Sequence, residues 1–166
     1  LRSIIAIILA VVIALIAASF YFINYALGPY KRSHNEAMER FYKREPATLK
    51  AWVDSLERCH ALLDTAITID GRGKMAAIYL QASRPTNRVA LLLHGYNDRA
   101  ESMLHIAHIY NHDMGFNVLL PYFYAHGESE GDHIDMGWLD RFDMIRWIEV
   151  ANNMFHGDSP STQVGG

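Results

Sequence analysis

A chain of 166 residues with a formal net charge of -3 has no electrostatic pull toward a polyanion, which excludes nucleic-acid binding as its main role. Its apolar fraction of 51% stands at the upper edge of the soluble range, and the N-terminus carries much of that excess. The single cysteine, Cys59, cannot close an internal disulfide and belongs to no reactive motif, so it reads as a small buried helix residue.

Residues 3–30 carry no charged side chain, and residues 4–18 are almost purely aliphatic. About 20 apolar residues suffice to cross a bilayer as a helix. Phe20, Tyr21, Phe22 and Tyr25 cluster at the far end of this run, as aromatics do at a membrane interface, and Gly28-Pro29 breaks the helix. Ala17-Ala18-Ser19 would suit a cleaved signal peptide, but the run is longer than such peptides usually have, which favours an uncleaved anchor over residues 1–30. Lys31, Arg32, Arg40, Lys43 and Arg44 after the span, against Arg2 before it, place the body in the cytoplasm by the positive-inside rule. The chain begins at Leu rather than Met, so both orientations stay open on the sequence alone.

Residues 31–63 form a helical connector in two pieces. Ser33, with Glu36 three residues later, makes a capping box for the first, and Pro46 divides the two. Leu49, Trp52, Val53, Leu56 and Leu63 give the second an apolar face expected to pack on the domain that follows; a separate partner-binding helix is the alternative.

Residues 64–166 begin with alternation at 65–69, an Asp70-Gly71-Arg72-Gly73 turn and a second apolar stretch at 75–80, a β-hairpin. Five apolar residues at 89–93 predict a strand buried on both faces, ending at His94-Gly95. A helix follows from about residue 100 to 113, then a strand at 116–120 closed by Pro121 and a loop to Gly137. The next helix carries Trp138, Phe142, Ile145, Ile148 and Ala151 at intervals of three and four. Asp158-Ser159-Pro160 predicts a turn, and Thr162-Gln163-Val164 the first residues of one more strand. A hairpin followed by alternating strands and helices specifies an α/β sheet with right-handed crossovers, and the loop at Gly95-Tyr96-Asn97, past a strand's carboxyl end, is where chemistry is expected.

Several motifs in this order resemble one family: the hairpin at Asp70-Gly71, LLLHGYN at 91–97, GFNVLLP at 115–121 running into AHGESEG at 125–131, and GWLDR at 137–141. From about Asp64 onward the chain resembles the N-terminal half of an α/β-hydrolase, closest to the serine aminopeptidase-like and related bacterial branch. The resemblance implies an α/β fold in which a transmembrane helix precedes a partial α/β-hydrolase sheet, hairpin first and then parallel strands with crossover helices. It also implies that the His-Gly loop supplies half of an oxyanion hole, with the Tyr96 backbone N–H as donor, Gly95 letting the backbone approach, and Asn97 assisting or holding the loop. His94 is assigned to loop structure.

Gly127-Glu128-Ser129-Glu130-Gly131 matches the letter of a nucleophile elbow, yet that motif needs its serine directly between strand and helix. Ser129 is therefore expected to bond its own loop. Relatives commonly carry Asp and Arg where this chain has Tyr122 and Tyr124, so these aromatics either line a substrate pocket or bury each other. His105, His108 and His112 share a helical face, a weak zinc pattern for which no physiological metal is expected, and no cofactor is implied.

Nucleophile, acid and base are expected beyond residue 166. The expected function is that of the N-terminal part of a membrane-anchored serine hydrolase, splitting an ester, thioester or amide of a small-molecule or peptide acyl substrate through an acyl-serine intermediate, and inactive as 166 residues alone. The alternative is a non-catalytic membrane-anchored interaction protein that uses residues 47–63 or an open sheet edge.

Overall fold

A computed structural model describes residues 1–30 and 33–156. The elements in chain order are α1 (Arg2–Leu27), α2 (His34–Arg44), α3 (Ala47–Arg58), β1 (Leu62–Ile69), β2 (Gly73–Leu80), β3 (Val89–Leu91), α4 (Leu104–His108), β4 (Asn117–Pro121) and α5 (Asp140–His156). Lys31, Arg32, the turn at 158–160 and the strand at 162–164 lie outside the described residues.

Period-two alternation along β2 explains the layering. Ala76, Ile78 and Leu80 point to one side of the sheet and Met75, Ala77 and Tyr79 to the other, and all six are buried. A strand covered on both faces must be central, and β2 pairs antiparallel with β1 on one flank and with β4 on the other. Parallel β3 completes the order β1-β2-β4-β3, so β4 lies between strands that precede it in the chain.

On one face pack α2, α3 and the segment 100–113, through Met38, Phe41, Leu49, Trp52, Val53, Leu56, Leu104 and Ala107. The expected face of α3 thus covers the sheet, except that Leu63 belongs to β1 and is 41% exposed. The connector shares one core with the sheet, and a boundary between residues 63 and 64 would cut through β1. Ser33 caps α2 by accepting from Glu36 N–H, as the capping box implies. Cys59 is exposed, against the expectation of burial.

The expected helix at 100–113 forms with changing pitch: a 3-10 turn at Ala100–Met103, α4, then a π turn at Ile109–Asp113. In the widened last turn Asn111 is buried and donates to the carbonyls of Gln81 and Phe116. Asn117 performs the same task at the start of β4, accepting from Ala82 N–H and Tyr79 Oη–H and donating to Thr86.

On the other face α5 buries Met144, Trp147 and Ala151. The stripe read from the sequence faces outward instead: Trp138, Phe142, Ile145 and Ile148 are exposed, and only Ala151 of that set is buried. The cause is ionic. Arg72, in the β1–β2 turn, donates to Asp143 at 2.7 and 3.0 Å, pairs with Asp135, and lies 3.5 Å from Asp140, while its guanidinium stacks 3.7 Å over the Tyr124 ring. Drawing Asp140 and Asp143 inward fixes the rotation of α5. Arg72→Met would leave three acidic groups at most 7% exposed without their cation, and a loss of about 3–5 kcal/mol is expected in urea denaturation. A loss below ~1 kcal/mol would show the cluster to be electrostatically idle.

One helix, α1, is long and apolar enough to cross a membrane by length and composition: 26 residues, mean hydropathy 3.0 over its best window, and no buried residue.

Candidate functional site

The carboxyl end of β3 runs into His94-Gly95-Tyr96-Asn97. Asp98 N–H donates to Gly95 O at 3.2 Å and closes a turn, with Asn97 at φ +52°, a conformation Asn tolerates better than most residues. Among the described residues the Tyr96 N–H has no hydrogen-bond partner. A side chain built at Gly95 would meet nothing within 4 Å among the described residues, so the space beside its backbone is open. The Tyr96 hydroxyl donates to the Ala26 carbonyl near the end of α1. A cleft of about 400 Å³ opens beside Tyr96 and Asn97 and is lined also by Tyr30, Arg40, Arg44 and Arg99.

His94 is buried and bonded on both ring nitrogens. Nε2 accepts from Phe123 N–H at 3.1 Å, which leaves Nδ1 to carry the proton toward Gly95 O at 2.9 Å. Burial lowers its pKa to about 4. The neutral ring therefore joins the β3 loop to the loop after β4, a structural task and not that of a catalytic base.

Behind the turn lies a cluster that the sequence did not announce. Glu101 is fully buried; it accepts from Arg99 and from the Tyr122 hydroxyl at 2.9 Å, and meets His34 Nδ1 at 2.8 Å. Burial pushes its carboxyl up, and the His34 and Arg99 hydrogen bonds more than offset this, holding it at about 2. The Glu101 hydrogen bond raises the pKa of His34 in turn. A carboxylate at the start of a 3-10 turn reads in sequence as an ordinary solvated cap, so no signal could have singled it out.

Tyr122 is 2% exposed, so it forms part of the interior and not a wall beside Tyr96. Burial, with the Glu101 carboxylate beside it, holds its hydroxyl protonated far above the usual range. Tyr124 is half-buried against Arg72 and His133, so neither tyrosine joins Asn97 around the cleft. The aromatics that replace an expected Asp and Arg thus serve two different ion clusters.

Ser129 is 1% exposed, and its hydroxyl accepts from Ala76 N–H at 2.9 Å and donates to Tyr122 O at 3.0 Å. It clamps the loop to β2, beyond the expected bonding within the loop, and is not available as a nucleophile. The two glycines of the same loop have steric reasons: a Cβ at Gly127 would lie 2.4 Å from the Tyr122 ring, and one at Gly131 2.4 Å from Ala125 N.

Of the three helical histidines, His105 turns its Nδ1 to Ser102 O. His108 and His112 stack at 4.6 Å, with Asp113 as a third group able to ligate; His108 also meets the Trp52 ring edge-on. The shared face of all three expected from sequence is thus reduced to a pair, half-buried His108 and exposed His112, beside a carboxylate.

Neither the protein-family models nor the curated proteins gave a match to this chain. Solved structures did. The Pyrococcus furiosus esterase Pf2001, in two crystal forms, superposes with TM-scores of 0.52 and 0.51 at 21% identity, covering 57% of this chain and 36% and 37% of that one. An alpha-beta hydrolase from Vibrio vulnificus gives 0.49 at 20% identity over 72% of this chain and 39% of that one. By its superposition on the two esterase structures and its strand order, the described sheet has the α/β-hydrolase fold in part. The chain spans little more than a third of the length of these structures.

The His94 bridge has a pH signature. Unfolded, His94 titrates near 6.5, and in the fold near 4, so the unfolded state takes up the proton first as pH falls. Its stabilising contribution is complete above 6.5, and up to about 3 kcal/mol is lost as pH drops through the window to 4. His34, with a raised pKa, acts in the opposite sense, so the difference between proteins is the readout. In His94→Gln, whose amide oxygen can still accept from Phe123 N–H, urea midpoints should fall less steeply with acidification than in wild type. Equal slopes would exclude His94 as the source.

Proposed function

We propose that this chain is the N-terminal part of a membrane-anchored serine hydrolase that cleaves an ester, thioester or amide of a small-molecule or peptide acyl substrate. The observation that carries this reading is the Tyr96 N–H, without a hydrogen-bond partner among the described residues, on a tight turn at the carboxyl end of β3 in a sheet of α/β-hydrolase strand order. A donor fixed in advance lowers the barrier of acyl transfer, because the carbonyl oxygen gains charge only as the nucleophile attacks. The turn is held from behind by Glu101, Arg99 and His94, none of which needs to move during a reaction. Anchoring is supported by the length and apolarity of α1 and by its aromatic end, Phe20, Tyr21, Phe22 and Tyr25. Arg40 and Arg44 at the cleft suit a substrate with an anionic group.

The nucleophile belongs to sequence beyond residue 166 in this reading, since Ser129 is buried and doubly bonded. A fluorophosphonate probe applied to the full-length protein should label one serine C-terminal to residue 166 and leave Ser129 unmodified. Residues 1–166 alone should show neither labelling nor turnover of activated acyl esters. Tyr96→Pro removes the N–H at a turn position that accepts proline, and should lower kcat by about 10²–10³-fold. Tyr96→Ala, which keeps the N–H, should lose far less. Equal losses in the two variants, or labelling at Ser129, would overturn the assignment.

A further inference from the structure

The loop that precedes α5 inverts the usual distribution of polar and apolar side chains. Asp135, Asp140 and Asp143 turn inward to Arg72, and Asp140 also accepts from Gly137 N–H at 2.8 Å. With its acids held inside, the segment presents Met136, Trp138, Leu139 and Phe142 outward, at 65%, 70%, 40% and 52% exposure. Arg141, exposed on the same turn, lies over the Trp138 and Phe142 rings at 4.3 Å. A tryptophan with an arginine beside it, among Met, Leu and Phe, is the composition that settles at the level of lipid headgroups.

The position of the segment supplies the second observation. Ile134 N–H donates to Leu27 O at 2.8 Å, so the chain two residues before Met136 is bonded to the last residue of α1. If residues 4–23 fill a hydrocarbon core of about 30 Å, Leu27 stands ~6 Å beyond its edge, within the headgroup layer. Met136 and Trp138 are then at most ~13 Å of extended chain from that level. The same helix end is held by the Tyr96 hydroxyl on Ala26 O and, through Tyr30, by bonds to Ala125 O and from Gly127 N–H. These contacts join α1 to the loops at the carboxyl ends of the strands, so the body has a set depth relative to the span.

We propose that residues 136–142 form a second membrane contact, in which Met136, Trp138, Leu139 and Phe142 seat in the interfacial layer of the bilayer that α1 crosses and Arg141 meets lipid phosphates. The proposal rests on the membrane-spanning reading of α1. It commits to lipid as the occupant because the patch is continuous with the end of that helix.

Trp138 reports by difference from its variant, and within these 166 residues the other two tryptophans, Trp52 and Trp147, are buried at 8% and 0% exposure. The full-length protein is reconstituted in phosphatidylcholine vesicles that carry a doxyl quencher near the carbonyl end of the acyl chain, and wild type is compared with Trp138→Phe. At an exposed position this change leaves packing intact. Expected is a component of emission that the doxyl lipid quenches in wild type and that is lost in W138F. Vesicle flotation of the same samples separates the two readings. Protein that floats with its vesicles while wild type and W138F are quenched alike overturns the second contact and leaves the anchor standing. Protein that fails to float overturns both.

Discussion

Arg72 leaves the β1–β2 turn and meets Asp135, Asp140, Asp143 and the Tyr124 ring, and one whole side of the fold follows from that meeting. A guanidinium with five donors in a plane can satisfy several carboxylates at once, which a lysine could not. The arrangement joins three regions distant in sequence: the hairpin, the long loop after β4, and the first turns of α5. Burial pushes Asp140 toward its neutral form and the nearby acids push it further, while the Gly137 N–H and then the Arg72 cation act against them. Once the acids are drawn in, α5 turns Met144, Trp147 and Ala151 fully to the sheet, with Val150 and Phe155 partly buried beside them. The apolar stripe that periodicity assigns to the core must then face outward.

A second ionic cluster does comparable work on the opposite layer. Glu101, Arg99, His34 and Tyr122 bind the start of α2 to the turn after Tyr96 and to the loop after β4. Together with His94 and Ser129 they fasten every loop at the carboxyl ends of β3 and β4, while Asn111 and Asn117 secure the other end of the sheet. Most of these clamps are buried polar groups that meet their partners, which is what lets a polar network confer rigidity. On the proposed oxyanion role, rigidity would matter most at Tyr96, because a donor that must reorganise during a reaction returns much of what it contributes to the barrier.

The hairpin, both parallel strands, the capping box at Ser33 and the sheet-facing side of α3 were legible in sequence, because alternation and helical spacing report burial directly. The rejection of Ser129 was legible too, since the elbow requires a strand and a helix that its neighbours do not form. Tyr122, Tyr124 and α5 were misread or left open for one shared reason. Periodicity assumes that apolar side chains win the interior, whereas here Arg72 and Glu101 bring charges inside and reassign the faces around them. Charged residues at 99, 101, 140 and 143 carry no local mark that distinguishes a buried partner from a solvated one. Only the meeting of segments some 70 residues apart makes the distinction.

The same inversion links stability to surface chemistry. In a soluble domain, an ion cluster that forced a tryptophan outward would be a poor bargain, because burying Asp135 and Asp140 costs solvation while exposing Trp138 and Phe142 forgoes hydrophobic gain. The second cost shrinks if the exposed side chains rest in lipid, since the apolar surface is then removed from water by the bilayer. The end of α1, the loop at Ile134 and the Tyr96 turn are bonded into one unit through Leu27, Ala26 and Tyr30. On the proposed membrane reading, these bonds would convert the end of α1 into a defined depth for the whole α/β sheet, with the Arg72 cluster turning the apolar side chains of residues 136–142 outward beside it.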